Sequence, residues 1–169
     1  VLVYVADNGI VAEGVSANPQ ETTYTVACNI LAGKSGLCAI SKHAGSDICL
    51  VDIGCKKDIF EENKDKVCHG TRNMLVDPAM TREQAIAAIL VGYKKTEALI
   101  KDGYRLFGTG EMGIGNTTAS AAVIAAVLGL KAEDVTGYGA GLTLDMKAHK
   151  TAVIQQCLDR HAPYGDILD

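Results

Sequence analysis

Tryptophan is absent, phenylalanine occurs twice and proline three times in 169 residues. So few large aromatics argue against an aromatic-packed sandwich, and so few prolines argue against a long extended linker. A basic surplus is also missing. The net charge is −4, and Lys56–Lys57 and Lys94–Lys95 are the only adjacent cations. Neutralising a nucleic-acid backbone needs a concentrated basic face, so a nucleic-acid partner is not expected. No apolar run is long enough to cross a bilayer, and no charged segment followed by an apolar one opens the chain as a secretory leader would. The six cysteines (Cys28, Cys38, Cys49, Cys55, Cys68, Cys157) include no Cys-x-x-Cys pair and no histidine at metal-ligand spacing. Several lie in apolar runs, where cysteine acts as a small hydrophobe, so they read as reduced thiols of a cytoplasmic protein. His43, His69, His149 and His161 form no metal or triad spacing, and there is no Gly-x-Ser-x-Gly, Walker lysine or metalloprotease motif.

What the chain does have is glycine, alanine and valine in alternating strand-like and helix-like stretches. Residues 1–6 are an apolar, β-branched run that reads as a buried strand. A polar, glycine-containing loop is expected from Asp7 to about Pro19. Helical spacing follows over 20–32, closed by Gly33, and a shorter helix over about 35–44 ends at Gly45. Residues 47–53 form a second strand, and 54–80 are irregular. Thr81-Arg-Glu-Gln84 is a capping box that starts a long helix to about Lys101. Gly103 breaks it, and Tyr104–Phe107 is the expected third strand. Asn116 to about Leu128 and about 145–160 complete the helices. The order predicts one doubly wound α/β domain over residues 1–169, a three-layer, Rossmann-like arrangement with a mostly parallel sheet. The chain opens on a strand without an initiator Met and stops soon after a helix, which reads as the central part of a longer enzyme.

The stretch Gly108-Thr-Gly-Glu-Met-Gly-Ile-Gly-Asn-Thr-Thr118 carries the most chemistry. It leaves a strand and opens a helix, the carboxyl edge where open α/β sheets bind ligands. Four glycines in eight residues and the caps Asn116, Thr117 and Thr118 predict a cradle of free amides for a phosphate. Glu111 stands among them. A carboxylate there repels a phosphate but suits an oxocarbenium-like centre, ribose hydroxyls or a proton. Gly108-x-Gly110-x-x-Gly113 also fits the dinucleotide fingerprint, with Glu133 and Asp134 downstream, so NAD binding is the competing reading. A second loop, Gly137-Tyr-Gly-Ala-Gly141, precedes the last helix, where Lys147 and Lys150 share a face at a spacing of three. The first loop offers Asp7, Ser16 and Gln20 as hydrogen-bonding groups for a heteroaromatic ring.

Three segments, 6–21, 70–85 and 108–118, resemble nicotinate-nucleotide–dimethylbenzimidazole phosphoribosyltransferase of cobalamin biosynthesis. They read Ala-Asp-Asn-Gly-Ile-Val-Ala-Glu-Gly-Val-Ser-Ala-Asn-Pro-Gln-Glu, then Gly-Thr-Arg-Asn-Met with Asp-Pro-Ala-Met-Thr-Arg-Glu-Gln-Ala, then the glycine-rich run itself. The resemblance implies a homodimeric enzyme that needs neither metal nor cofactor. It would convert nicotinate mononucleotide and 5,6-dimethylbenzimidazole, or a related base, to α-ribazole phosphate and nicotinate. It implies Glu111 as the catalytic acid. Gly113, Gly115, Asn116, Thr117, Gly137, Gly139 and Lys150 would lie around the nucleotide and its phosphate, and Ser16 and Gln20 would line the acceptor-base pocket. Asn8 stands where the family has His, and Tyr138 where Arg is expected. The family's usual general-base glutamate falls beyond residue 169, so the alternative is an inactive nucleotide-binding core.

Overall fold

The computed structural model describes residues 1–168; Asp169, the last residue of the expected domain, lies outside the described residues. Three parallel strands form one sheet in the order β2–β1–β3. The central strand, β1 (Leu2–Ala6), reads Leu-Val-Tyr-Val-Ala, and its side chains are buried or half-buried. That is the pattern of a strand covered on both faces. Cys49 of β2 (Cys49–Gly54) pairs with Leu2, and so does Thr109 of β3 (Thr109–Met112) from the other side.

Helices α1 (Thr22–Leu31) and α2 (Gly36–Ala44) occupy the expected stretches. Ser35 caps α2 by accepting a hydrogen bond from the Cys38 amide, and Gly45 ends it in the left-handed region at φ 63°. Thr81 and Gln84 form the reciprocal capping box that starts α3 (Arg82–Lys101). The remaining helices are α4 (Asn116–Leu128), the short α5 (Ala132–Val135) and α6 (Leu144–His161). No helix among the described residues is long and apolar enough to cross a membrane.

The third strand is not where the apolar run placed it. Tyr104–Phe107 lies outside the sheet, and Leu106 is 91% exposed. The Tyr104 amide closes the end of α3 by donating to the Leu99 carbonyl, and its hydroxyl donates to Asp47 at 2.6 Å. Pairing begins one step later, where the Leu2 amide donates to the Gly108 carbonyl. The strand is therefore built inside the glycine-rich run. A Cβ on Gly110 would meet the Leu2 carbonyl and Val3 at 3.7 Å, an ordinary contact distance, so the ladder to β1 and not residue size sets the strand. Pairing with β1 outweighs weak intrinsic strand preference here.

Two clusters hold the molecule together. Val3, Val5, Ala27, Ile30 and Cys55 pack between the sheet and α1. Ala121, Ala122, Ala132 and Ile154 join α4, α5 and α6, where alanines allow close helix approach. The first loop links them. It is not wholly irregular but contains a 3-10 turn over Gly9–Glu13, closed by Gly14 at φ 68°. Ile10 and Val15 from this loop bury against Val153 and Cys157 of α6. The irregular segment after β2 is anchored by Asp52, which is fully buried. Its Oδ1 accepts from the Gly54 and Cys55 amides, and Oδ2 pairs with Lys66 at 3.0 Å.

Ile10 is 1% exposed and packs the first loop against α6. Ile10→Ala should therefore lower unfolding free energy by about 2–5 kcal/mol in urea titration. Leu106→Ala should stay within about 0.5 kcal/mol of the parent. A large loss at Leu106 would show that residues 104–107 are packed strand after all.

Candidate functional site

The carboxyl ends of β1 and β3 lie side by side, and the site grows from there. Glu111 sits in β3 opposite Tyr4, and its side chain reaches solvent. The Asn116 Nδ2 at the start of α4 donates to both carboxylate oxygens, at 2.6 and 2.5 Å. The same amide's Oδ1 accepts from the Thr117 N–H at 2.7 Å. The Thr117 hydroxyl in turn accepts from Lys150 Nζ, which reaches it from α6 at 2.7 Å. Gly139 completes the corner at φ 60°, where a Cβ would lie 3.2 Å from the Thr117 hydroxyl and 3.5 Å from Lys150 Nζ. A side chain at 139 would press on the Thr117 hydroxyl and only touch Lys150 at ordinary contact distance. Glu111, Asn116, Thr117, Gly139 and Lys150, which the sequence places up to 39 residues apart, thus meet in one continuous line.

Lys150 is the unusual member. It is 1% exposed, yet no carboxylate pairs with it among the described residues. Burial holds its ammonium below the ordinary lysine range. Lys147, three residues before it on α6, lies over the Tyr138 ring at 5.0 Å. The two lysines thus divide: one covers an aromatic ring, and the other carries buried charge beside a hydroxyl and a glycine. A desolvated cation without a counter-charge is costly unless an anion arrives to match it.

The glycines do something other than expose amides. Gly113 and Gly115 are buried. A Cβ on Gly113 would lie 2.2 Å from the Ala6 carbonyl, and one on Gly115, at φ 83°, would lie 2.7 Å from Val11. Their lack of side chains lets the turn close onto the first loop. Four amides of the turn are engaged within the protein. Ile114 donates to the Thr23 hydroxyl, Asn116 to the Gly113 carbonyl, Thr117 to the Asn116 side chain, and Thr118 to the Gly115 carbonyl. The cationic group at this corner is the buried Lys150. Gly137 stands apart, with nothing within 4 Å of where its Cβ would be.

The first loop is stitched to the same turn. Asn8 Nδ2 donates to the Ile114 carbonyl at 3.2 Å, and Gln20 Nε2 donates to the Asn8 carbonyl at 3.1 Å. Gln20 Oε1 accepts from Lys56 Nζ at 2.6 Å, so both ends of this amide already have partners. Ser16 accepts from the Asn18 amide at 3.2 Å, and no described contact joins it to Glu111 or Lys150. Asn8, Thr23 and Lys56 hold the edge together, although their separations in sequence gave no local pattern to read. His149, next to Lys150, bonds the Glu13 carbonyl at 2.6 Å and fixes α6 to the loop.

The dinucleotide reading fails on geometry. Gly110 lies within β3 itself, and Glu133 and Asp134 lie in α5 instead of ending a second strand. Two cavities flank α6. One of about 380 Å³ is apolar and includes Ala122, Ala126, Cys157 and Leu158. Another of about 590 Å³ includes Tyr138, Lys147 and Gln155. Neither includes Glu111, Asn116 or Lys150.

The lysine's burial fixes a pH dependence. Its folded pKa lies below the ordinary 10.5, so between the two values the unfolded chain holds more protons. Stability contributed at this position therefore rises as pH climbs through that window. The difference in unfolding free energy between the parent and Lys150→Met should shift in the parent's favour toward pH 10.5. A pH-independent difference in paired urea titrations would contradict the burial of an ionisable, unpaired ammonium.

Known proteins supply the family. A model of the phosphoribosyltransferase family matches residues 1–169. The chain is 43% identical over 172 residues to the nicotinate-nucleotide–dimethylbenzimidazole phosphoribosyltransferase of Clostridium tetani, covering 99% of this chain and 47% of that protein. It is 45% identical to the enzyme of the same name from Acetivibrio thermocellus, covering 96% and 47%. The crystal structure of CobT from Thermus thermophilus superposes with a TM-score of 0.92 at 38% identity, over 99% of this chain and 51% of that one. The chain thus spans about half the length of the relatives it matches. With the whole chain inside the family match and the fold shared with CobT, this protein belongs to the phosphoribosyltransferase family.

Proposed function

We propose that the intact protein moves a phosphoribosyl group from nicotinate mononucleotide to 5,6-dimethylbenzimidazole or a related base. The products are α-ribazole phosphate and nicotinate, used in assembling the lower ligand of cobalamin. One observation carries this reading: the buried, carboxylate-free Lys150 lies at one end of a hydrogen-bonded line whose other end is Glu111. A ribose phosphate has the complementary polarity, with an anion at one end and an electron-poor anomeric carbon at the other.

In the reaction, the bond from the anomeric carbon to the pyridinium nitrogen breaks, and its electron pair neutralises that nitrogen. A ring nitrogen of the incoming base supplies a lone pair to the same carbon, and the base's N–H proton leaves to a carboxylate. Lys150 would hold the phosphate, with Thr117 and Gly139 shaping its corner. Glu111 would face the ribose, where its negative charge favours the oxocarbenium-like transition state. Gly113 and Gly115 serve this by seating the turn. Gln20 and Ser16 belong to the loop that would receive the base, and Gly137 belongs to the loop that brings in Gly139. The reading places the enzyme in the cytoplasm as a homodimer. Apolar side chains left exposed on α3, among them Ile89, Leu90 and Tyr93, are one surface for such pairing.

The test is product analysis by mass spectrometry after mixing the intact protein with nicotinate mononucleotide and 5,6-dimethylbenzimidazole. α-Ribazole phosphate is expected, and Glu111→Gln should lower kcat by about 10²–10⁴-fold. No product from the parent, or full turnover by Glu111→Gln, would overturn the assignment. A panel of adenine, phenol and other benzimidazoles should show the benzimidazoles turned over faster, and equal rates would remove the claimed acceptor preference.

A further inference from the structure

We infer that Asn116 is a positioning residue for Glu111 and is not itself a ligand of the nucleotide phosphate; this rests on the transferase reading above. The direction of its side chain is fixed by chemistry. The Thr117 N–H can only donate, so the Asn116 atom 2.7 Å from it is the carbonyl oxygen Oδ1. The other end, Nδ2, is then the group that meets both Glu111 oxygens, at 2.6 and 2.5 Å. Each end of the amide is thus committed inside the protein, one to the backbone at the start of α4 and one to the carboxylate.

Without that contact Glu111 would be an exposed glutamate on a strand, free to sample several rotamers. The amide selects one. It also ties the choice to a rigid reference, because Gly115, the residue before it, is packed under Val11 and Asn8 and α4 is fixed by buried Thr118 and Ala121. Each carboxylate oxygen has two lone pairs and uses one on Asn116, so a second acceptor position on each stays open toward a bound ribose. Thr117 extends the line to Lys150. An anion held at Lys150 and a sugar held at Glu111 are therefore referred to the same first turn of one helix, and the distance between them is set by Asn116 and Thr117.

A phosphate ligand and a positioning residue fail differently when removed. Steady-state kinetics on the intact protein with nicotinate mononucleotide and 5,6-dimethylbenzimidazole should show Asn116→Ala lowering kcat by about 10–100-fold, with KM for the nucleotide changed by less than about threefold. In the Glu111→Gln background the same substitution should change kcat by no more than about twofold, because the carboxylate it orients is already gone. Equal losses in the two backgrounds, or a loss confined to KM, would overturn the inference. If Asn116→Ala does not fold, Asn116→Asp keeps an oxygen acceptor for the Thr117 N–H while removing the donor to Glu111, and the same pattern is expected of it. Absence of turnover by the parent would strike the transferase reading itself, a result separable from any pattern among the variants.

Discussion

The cost of keeping an ammonium out of water without a carboxylate beside it is the constraint around which this structure is arranged. Lys150 is buried by α6 and by the loop carrying Gly139, and its contact with the Thr117 hydroxyl replaces only a small part of its lost hydration. A chain that needed only stability would place an apolar side chain there. The position of the charge explains other choices. Gly139 has a positive φ and no side chain where one would press on the Thr117 hydroxyl that Lys150 bonds. α4 begins with Asn and Thr, whose side chains continue the polar line, while its inner face is alanine so that it can press against α5 and α6.

The second requirement is that three segments far apart in sequence share one edge. The first loop, the glycine-rich turn and the segment after β2 each leave the carboxyl end of a strand. Polar side chains fasten them crosswise, Asn8 to Ile114, Ile114 to Thr23, Gln20 to Lys56 and the Lys56 amide to Asp7. Apolar packing then locks the first loop to α6 through Ile10, Val15 and Val153. Displacement of any one segment would move the others, and this gives a loop-built site the stiffness that catalysis demands.

Much of this was legible in the sequence. Helix ends were marked by local chemistry: Ser35 and Gly45 around α2, and Thr81 with Gln84 at the head of α3. The first two strands were plain apolar runs. The third was misplaced because its residues, Thr-Gly-Glu-Met, have little strand preference, while the apolar Tyr-Arg-Leu-Phe beside them ends a helix. Within the site, Glu111 and the Asn-Thr cap stood out by type and spacing. The close cover over Gly113 and Gly115 did not, since Ala6, Asn8 and Val11, which provide it, are distant in sequence. Lys150 was one of two lysines on a helix face, and nothing local distinguishes a buried lysine from one lying over an aromatic ring.

Lys150 is proposed to hold the phosphate of a ribonucleotide. Calorimetric titration of the intact protein with nicotinate mononucleotide and with its phosphate-free nucleoside, repeated on Lys150→Met, tests it most directly. The parent is expected to favour the nucleotide by about 10–100-fold, the scale of one charge-assisted contact, and the variant to lose most of that preference while its affinity for the nucleoside is little changed. Equal preference for the nucleotide in parent and variant would show that the phosphate is held elsewhere.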